Sequence, residues 1–294
     1  MVVSAFFCSI AMISDLNKTR LLLVSSLLLL VVFAGAAYAL RVEPYWLKET
    51  RLRTESPRLG AGFPGLRIVF ASDIHLGVMF REERLEGLTA RINALKPDII
   101  ILGGDQISRA ENIIERFYRN FSAQVNAPVY AVLGNHDYPD HGGGKSLREM
   151  AHCGIRSLDN AAYDLTVGGA RLRIAGVGDF WMGTQDLRPA FERLDGDTFL
   201  LLISHNPEFG DYLGKYKKRV DLMLSGHLHG RQINPFGFPM ALNPARIKGH
   251  YYGKVNLNKH AFAFISSGVG TSNLPMRFMA RPEIVVIELA APLR

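Results

Sequence analysis

The sequence predicts an α/β domain carried behind one apolar helix. Three observations predict it: short apolar runs alternate with stretches of helical periodicity from about residue 66 onward, those runs end in glycine-flanked polar residues, and an uncharged stretch precedes them all. With 294 residues and 48% hydrophobic content, the chain supports one globular domain plus appendages and shows no compositional sign of disorder. Lys and Arg number 34 against 27 Asp and Glu, a formal net charge of +7 that suits nucleic acid, an anionic membrane or an anionic substrate. The basic residues do not cluster in a nucleic-acid reading motif, so no nucleic-acid partner is expected. The two cysteines, Cys8 and Cys153, are too few for a disulfide framework.

Residues 1–20 form an N-terminal segment, within which Met12 is an alternative start. Residues 21–40, LLLVSSLLLLVVFAGAAYAL, carry no charge and are long enough for a helix to cross a bilayer core. They read either as a retained single-pass anchor or as a secretory signal cut after Ala37–Ala39. The run exceeds a typical signal core of about 7–15 residues, which favours the anchor. Arg41, Lys48, Arg51, Arg53 and Arg58 follow it against Lys18 and Arg20 before it, an imbalance that favours a cytoplasmic C-terminal side, with an extracytoplasmic one the alternative because long domains are exported despite flanking charge. Residues 41–65 read as a basic linker able to lie on anionic headgroups.

Residues 66–294 are expected to be the α/β domain. Strand-like runs lie at 66–72, 98–104 and 128–134, separated by helical patterns at 81–96 and 110–124. A helix around 145–153 follows, then alternation about the VGG at 167–169 that reads as a hairpin, then strands at 197–204 and 220–225. Residues 230–260, rich in Gly, Pro, Asn and aromatics, read as a long loop, and strands near 261–267 and 283–290 close the chain.

Each central run empties into metal-ligand chemistry at its C-terminal end, where open α/β sheets place their sites. SDIHLG supplies Asp73 and His75, GGDQ supplies Asp105, GNHDY supplies Asn135, His136 and Asp137, SHNP supplies His205, and SGHLHG supplies His227 and His229. Singly, such an Asp reads as a helix cap and such a His as a satisfied core or surface residue. As a set on five successive strand ends they predict a metal site. Gly103, Gly104, Gly134 and Gly226 beside them allow close backbone approach. Asp73, His75, Asp105, Asn135, His205, His227 and His229 are too many for one tetrahedral ion with an open position, which points to two divalent metal ions.

The ordered set D-x-H, G-D, G-N-H-D, a separate His and G-H-x-H resembles the calcineurin-like metallophosphoesterase superfamily, over about residues 66–290. GLRIVFASDIHLG, LKPDIIILGGD, VYAVLGNHDY and SGHLHGRQI are similar to its membrane-anchored bacterial branch, which includes cell-envelope phosphodiesterases and a type of UDP-2,3-diacylglucosamine pyrophosphatase of lipid A synthesis. The resemblance implies a four-layer αββα sandwich of two mixed sheets. It implies one metal on Asp73, His75, Asp105 and His229, and a second on Asp105, Asn135, His205 and His227, with Asp105 bridging. It implies hydrolysis of a phosphodiester or pyrophosphate bond by activated water, with His136 as the acid at the departing oxygen and Asp137 orienting its ring or serving as a turn residue. Mixed imidazole, carboxylate and amide ligands suit Mn²⁺ first, with Fe or Zn²⁺ as alternatives.

The chain departs from the family's common GHTHGGQ at Leu228 and Arg231. Arg231 is expected either to fork onto a substrate phosphate or to be an outward surface residue. Phe236, Phe238, Met240, Tyr251, Tyr252, Met276, Phe278 and Met279, with Arg246, Lys248, Arg277 and Arg281, form either an acyl-chain groove with a phosphate-binding rim or a cap of the sheet. With the anchor, the groove favours an anionic, lipid-linked substrate taken from the bilayer. A soluble-substrate phosphodiesterase and a non-catalytic scaffold are the alternatives, and the complete ligand set speaks against the scaffold.

Overall fold

Parity along each strand decides which apolar layer a side chain joins, and in the computed structural model the strands sort into two sheets. The structure describes residues 2–77, 79–139, 142–213, 219–237, 249–257 and 262–292. The expected groove residues Phe238, Met240, Arg246 and Lys248 lie outside the described residues.

The first sheet holds β1 (Lys48–Glu55), β2 (Leu66–Ala71), β3 (Ile99–Gly103), β4 (Val129–Val132), β5 (Arg156–Ser157) and, from the far end of the chain, β12 (Glu283–Ala290), in the order β1-β12-β2-β3-β4-β5. The second holds β6 (Ala161–Val167), β7 (Ala170–Gly176), β8 (Phe199–Ile203), β9 (Leu222–Ser225), β10 (Gly253–Asn256) and β11 (Phe262–Ile265), in the order β10-β11-β9-β8-β7-β6. Both sheets are mixed: β2, β3, β4 and β5 run parallel with β12 antiparallel to β2, and β7, β8, β9 and β11 run parallel between antiparallel β6 and β10.

Ile68, Phe70, Ile99, Ile101, Tyr130 and Val132 face inward and meet Leu172, Ile174, Leu201, Ile203, Leu222 and Leu224 of the second sheet. The alternate residues Val69, Ala71, Ile100 and Leu102 face outward, against Leu85, Leu88 and Ile92 of α2 (Glu82–Ala94) and Ile114, Phe117 and Phe121 of α3 (Ile114–Gln124). Met150 of α4 (Gly144–His152) joins that layer. Leu200, Leu202 and Met223 face the other way, against Ala190 of α5 (Arg188–Phe191) and Phe209 and Leu213 of α6 (Phe209–Leu213). Helix, sheet, sheet, helix is the four-layer arrangement the resemblance implied. The hairpin expected at VGG is present: Gly168 and Gly169 carry φ of 55° and 83° between β6 and β7, the left-handed pair that a two-residue turn needs.

Three segments differ from expectation. The N-terminal helix α1 (Val2–Arg41) runs unbroken through the segment expected to precede the apolar stretch. Within residues 41–65, expected as a linker, Lys48–Glu55 forms edge strand β1, in parallel register with β12 from Lys48↔Glu283 to Glu55↔Ala290. Its sequence KETRLRTE hides the strand because an exposed edge position favours charge over apolar alternation. The long loop contains β10, whose Val255 buries against Leu228 and Ile265. The stretch from Arg20 to Tyr45 is long and apolar enough to cross a membrane, and Leu21–Phe33 are exposed along its length.

Candidate metal centre

The strands carry their ligands to one place because the parallel strands of both sheets end there. Asp73 and His75 follow β2, Asp105 follows β3, Asn135 opens a short 3-10 turn after β4, His205 follows β8, and His227 and His229 follow β9. Five of these take left-handed backbone: Asp73 (φ 55°), His75 (53°), Asp105 (54°), His227 (71°) and His229 (51°). That conformation costs roughly 1–2 kcal/mol per non-glycine residue, so the surrounding packing imposes it, as is common at functional sites. Close approach also explains Gly226, where a Cβ would collide with Asp73 Oδ2 and with the Ser72 side chain.

Two groups of donors result. The ligand atoms of Asp73, His75, Asp105 and His229 lie within 4.8 Å of one another, as do those of Asp105, His205 and His227. Asp105 belongs to both. His75 Nε2 lies 3.4 Å from Asp105 Oδ2 and 3.1 Å from His229 Nε2, while His205 Nε2 lies 3.3 Å from the same carboxylate oxygen and 3.3 Å from His227 Nδ1. His229 Nε2 stands 3.4 Å from Asp73 Oδ1. The His205 ring is fixed through Nδ1, 2.8 Å from the Gly103 carbonyl, which leaves Nε2 for the site.

The residues fit a pair of cations. Asp73 Oδ2, Asn135 Oδ1 and His227 Nε2 are buried and make no hydrogen bond among the described residues. Each such orphan costs about 1–3 kcal/mol unless a ligand satisfies it. Burial pushes His75 and His227 down to about 3 and His229 well below the usual imidazole range, so these rings are neutral and keep their lone pairs. Burial also lifts Asp73 to about 6. At His205 burial favours the neutral ring, but Asp105, Asp73 and Asp179 outweigh it and raise its proton affinity well above the ordinary value. That proton marks where the carboxylates demand positive charge.

Of the two residues expected to catalyse, only His136 faces the cleft. It lines a cavity of about 460 Å³ with Asp105, Asn135, His227, His229, Arg231 and Trp181, its ring edge-on to His75 at 4.6 Å. Burial holds it below the usual imidazole range. Asp137 does not orient that ring. Its carboxylate accepts backbone N–H groups of Gly134 (2.9 Å), Ile107 (3.1 Å) and Gln106 (3.2 Å), tying the Asn135 turn to the Asp105 loop, which is the turn role.

Arg231 is buried in the cleft wall with its guanidinium 5.0 Å from the Tyr251 ring centroid, not outward. Arg277, expected either on a phosphate-binding rim or in a cap of the sheet, is wholly buried. It donates to the carbonyls of Gly270, Ser267, Ala280, Gly268 and His229, because several strand-end loops there have no ladder partner. Arg281 stacks on Trp46 at 3.9 Å rather than joining the cleft.

Asp179, Trp181 and Arg109 escaped the sequence reading. Asp179 ends the loop after β7 and accepts from the N–H groups of Trp181 (2.8 Å) and Met182 (2.7 Å), which sets the Trp181 ring edge-on to His227 at 4.3 Å. The signal was present as GVGD, the same strand-then-GD pattern as GGD. Arg109 is an exposed cation on the cleft wall with no local motif to flag it.

The family model described as calcineurin-like phosphoesterase matches residues 66–231. An uncharacterized metallophosphoesterase of Bacillus subtilis, YkuE, is 32% identical over 270 residues, 87% of this chain and 90% of its own length. The UDP-2,3-diacylglucosamine pyrophosphatase LpxG of Chlamydia muridarum is 27% identical, covering 85% of this chain and 91% of its own. A dimetal phosphatase from Danio rerio superposes with a TM-score of 0.47 at 12% identity, over 71% of this chain and 89% of that one.

Proposed function

Since this chain belongs to the calcineurin-like phosphoesterase family and is therefore a hydrolase acting on phosphoester bonds, we propose that it cleaves a phosphodiester or pyrophosphate bond in a membrane-associated, lipid-linked substrate such as UDP-2,3-diacylglucosamine. The observation that carries this reading is a pair of ligand clusters sharing Asp105 at the floor of a cleft, in a chain that also bears a long apolar helix. The similarity to the Chlamydia pyrophosphatase supports the lipid A substrate, and the basic residues after the helix support a cytoplasmic catalytic domain.

Asp73, His75, Asp105 and His229 would hold one divalent ion, and Asp105, Asn135, His205 and His227 the other, Mn²⁺ suiting this donor set best. When bound, such a pair supplies Lewis acidity that makes water nucleophilic near neutral pH and positive charge that clamps phosphoryl oxygens. The side chains do the rest. His136, kept neutral by burial, donates an N–H hydrogen bond to the departing oxygen and so stabilises its developing charge. Asp137 keeps His136 and Asn135 in register through the backbone. Arg231, oriented by Tyr251, forks onto a second phosphate of an anhydride substrate.

The test is turnover by detergent-solubilised full-length protein with Mn²⁺ on a lipid-linked sugar nucleotide, bis(p-nitrophenyl) phosphate and a cyclic nucleotide. The lipid-linked compound should show the highest kcat/KM by at least tenfold, and Asp105→Asn should silence all three. Preference for the soluble compounds would replace the lipid reading with a broad-specificity phosphodiesterase of the cell envelope. Undiminished hydrolysis in strong chelator would remove the metal reading itself.

A further inference from the structure

The C-terminal end of α1 is not a loose tether. The Arg277 N–H donates to the Ala39 carbonyl at 2.9 Å, and Tyr38 meets Phe278 edge-on at 6.3 Å. The carboxylate of Glu43, fully buried, accepts the N–H groups of Met279 and Ala280. Arg84 donates to the Pro44 carbonyl at 2.7 Å. Two hydrogen bonds onto a buried side chain tie the helix end to this segment, since parting them would leave backbone N–H groups without their partner.

The segment so gripped adjoins a wall of the metal cleft. Phe278 exchanges backbone hydrogen bonds with Gln232 (2.8 Å) and Asn234 (2.9 Å), and the Gln232 side chain donates to the Leu274 carbonyl at 3.0 Å. Gln232 and Leu274 both line the cleft that holds Asp105 and His229. From the helix end to the cleft is therefore two residues of hydrogen-bonded chain.

Large apolar side chains stand exposed along this short path. Phe236 is 82% exposed, Leu274 50% and Met279 49%, with Phe236 N–H 3.3 Å from the Met279 sulfur. Beside them Trp46 is 53% and Tyr45 60% exposed, each under a guanidinium: Arg281 at 3.9 Å from the Trp46 centroid and Arg84 at 4.5 Å from that of Tyr45. Aromatic rings paired with cations, just past a membrane-length helix, are the composition of a bilayer's headgroup zone.

We infer that this face docks on a phospholipid bilayer bearing anionic headgroups: Leu274, Met279 and Phe236 enter the boundary between headgroups and acyl chains, Arg281 and Arg84 meet phosphates, and the lip of the metal cleft lies in the membrane surface. The inference rests on the anchor reading of α1 and deepens it. A rigid joint fixes one orientation, so the cleft receives phosphoryl groups of lipids whose acyl chains never leave the bilayer.

Single cysteines at Leu274→Cys, Met279→Cys and, as control, Thr166→Cys test it in the full chain with Cys8→Ser and Cys153→Ala. Thr166 is exposed beside the β6–β7 turn, at the opposite end of the second sheet from the ligands. Each variant carries an environment-sensitive fluorophore and is reconstituted in phosphatidylcholine–phosphatidylglycerol vesicles. Labels at 274 and 279 should shift to the blue and be quenched severalfold by nitroxide lipids, with the label at 166 unchanged. If all three stay solvent-like while the protein sediments with the vesicles, the docking face is wrong and the anchor stands. Failure to sediment overturns anchor and docking together. Shielding of 274 and 279 that ignores nitroxide lipids and disappears on dilution assigns the face to a second copy of the chain and overturns the bilayer.

Discussion

Arg231 and Arg277 bring the same charge to the same neighbourhood and use it differently. Arg277 spends its donors on five carbonyls and acts as a staple for the loop behind His229, whereas Arg231 faces the cleft against Tyr251. Replacing Arg231 with alanine should raise KM for a phosphoanhydride substrate severalfold and leave kcat nearly unchanged, because the lost fork serves binding in ground and transition states alike. Steady-state kinetics on the purified variant measure this, and an unchanged KM would rule the fork out. At this scale the candidate ligands were legible because each sits within four residues of the end of an apolar run. For Asp137 and Arg277 the sequence left two readings open, because their partners are backbone groups of distant loops, which no local pattern announces.

Strands proved legible where burial on both faces forces an unbroken apolar run, as in DIIILGG and DTFLLLIS. The polar edge strand β1 was not, for its pairing with β12 spans nearly the whole chain. Yet β1 covers the outer edge of β12, and Lys48 pairs with the buried Glu283 at 3.1 Å. A chain beginning at Val42 should therefore fold with a higher Tm than one beginning at Pro57, and the shorter one should associate through the uncovered edge. Thermal unfolding and size exclusion decide; equal Tm and a monomer in both cases would show that β1 is dispensable.

The four-layer architecture was implied by resemblance rather than by alternation, since which sheet a strand joins depends on pairings remote in sequence, such as β12 inserting between β1 and β2. On that architecture the charged groups of the candidate metal centre face one another, so Asp105 and Asp73 act on His205. In the metal-free protein the raised proton affinity of His205 keeps a proton in the site, so proton and cation compete there. Mn²⁺ binding should release protons near neutral pH and weaken as pH falls, visible as a buffer-dependent enthalpy in titration calorimetry, and should raise Tm with metal concentration. A buffer-independent enthalpy would mean that His205 is already neutral. Four candidate ligands ride on the first sheet, Asp73, His75, Asp105 and Asn135, and three on the second, His205, His227 and His229, with Phe70 and Leu201 among the greasy filling between. The centre is thus a caliper closed across two slabs: a shear too small to melt the protein would already open its jaws, so the operating range of this enzyme is set by oily residues that never meet its substrate.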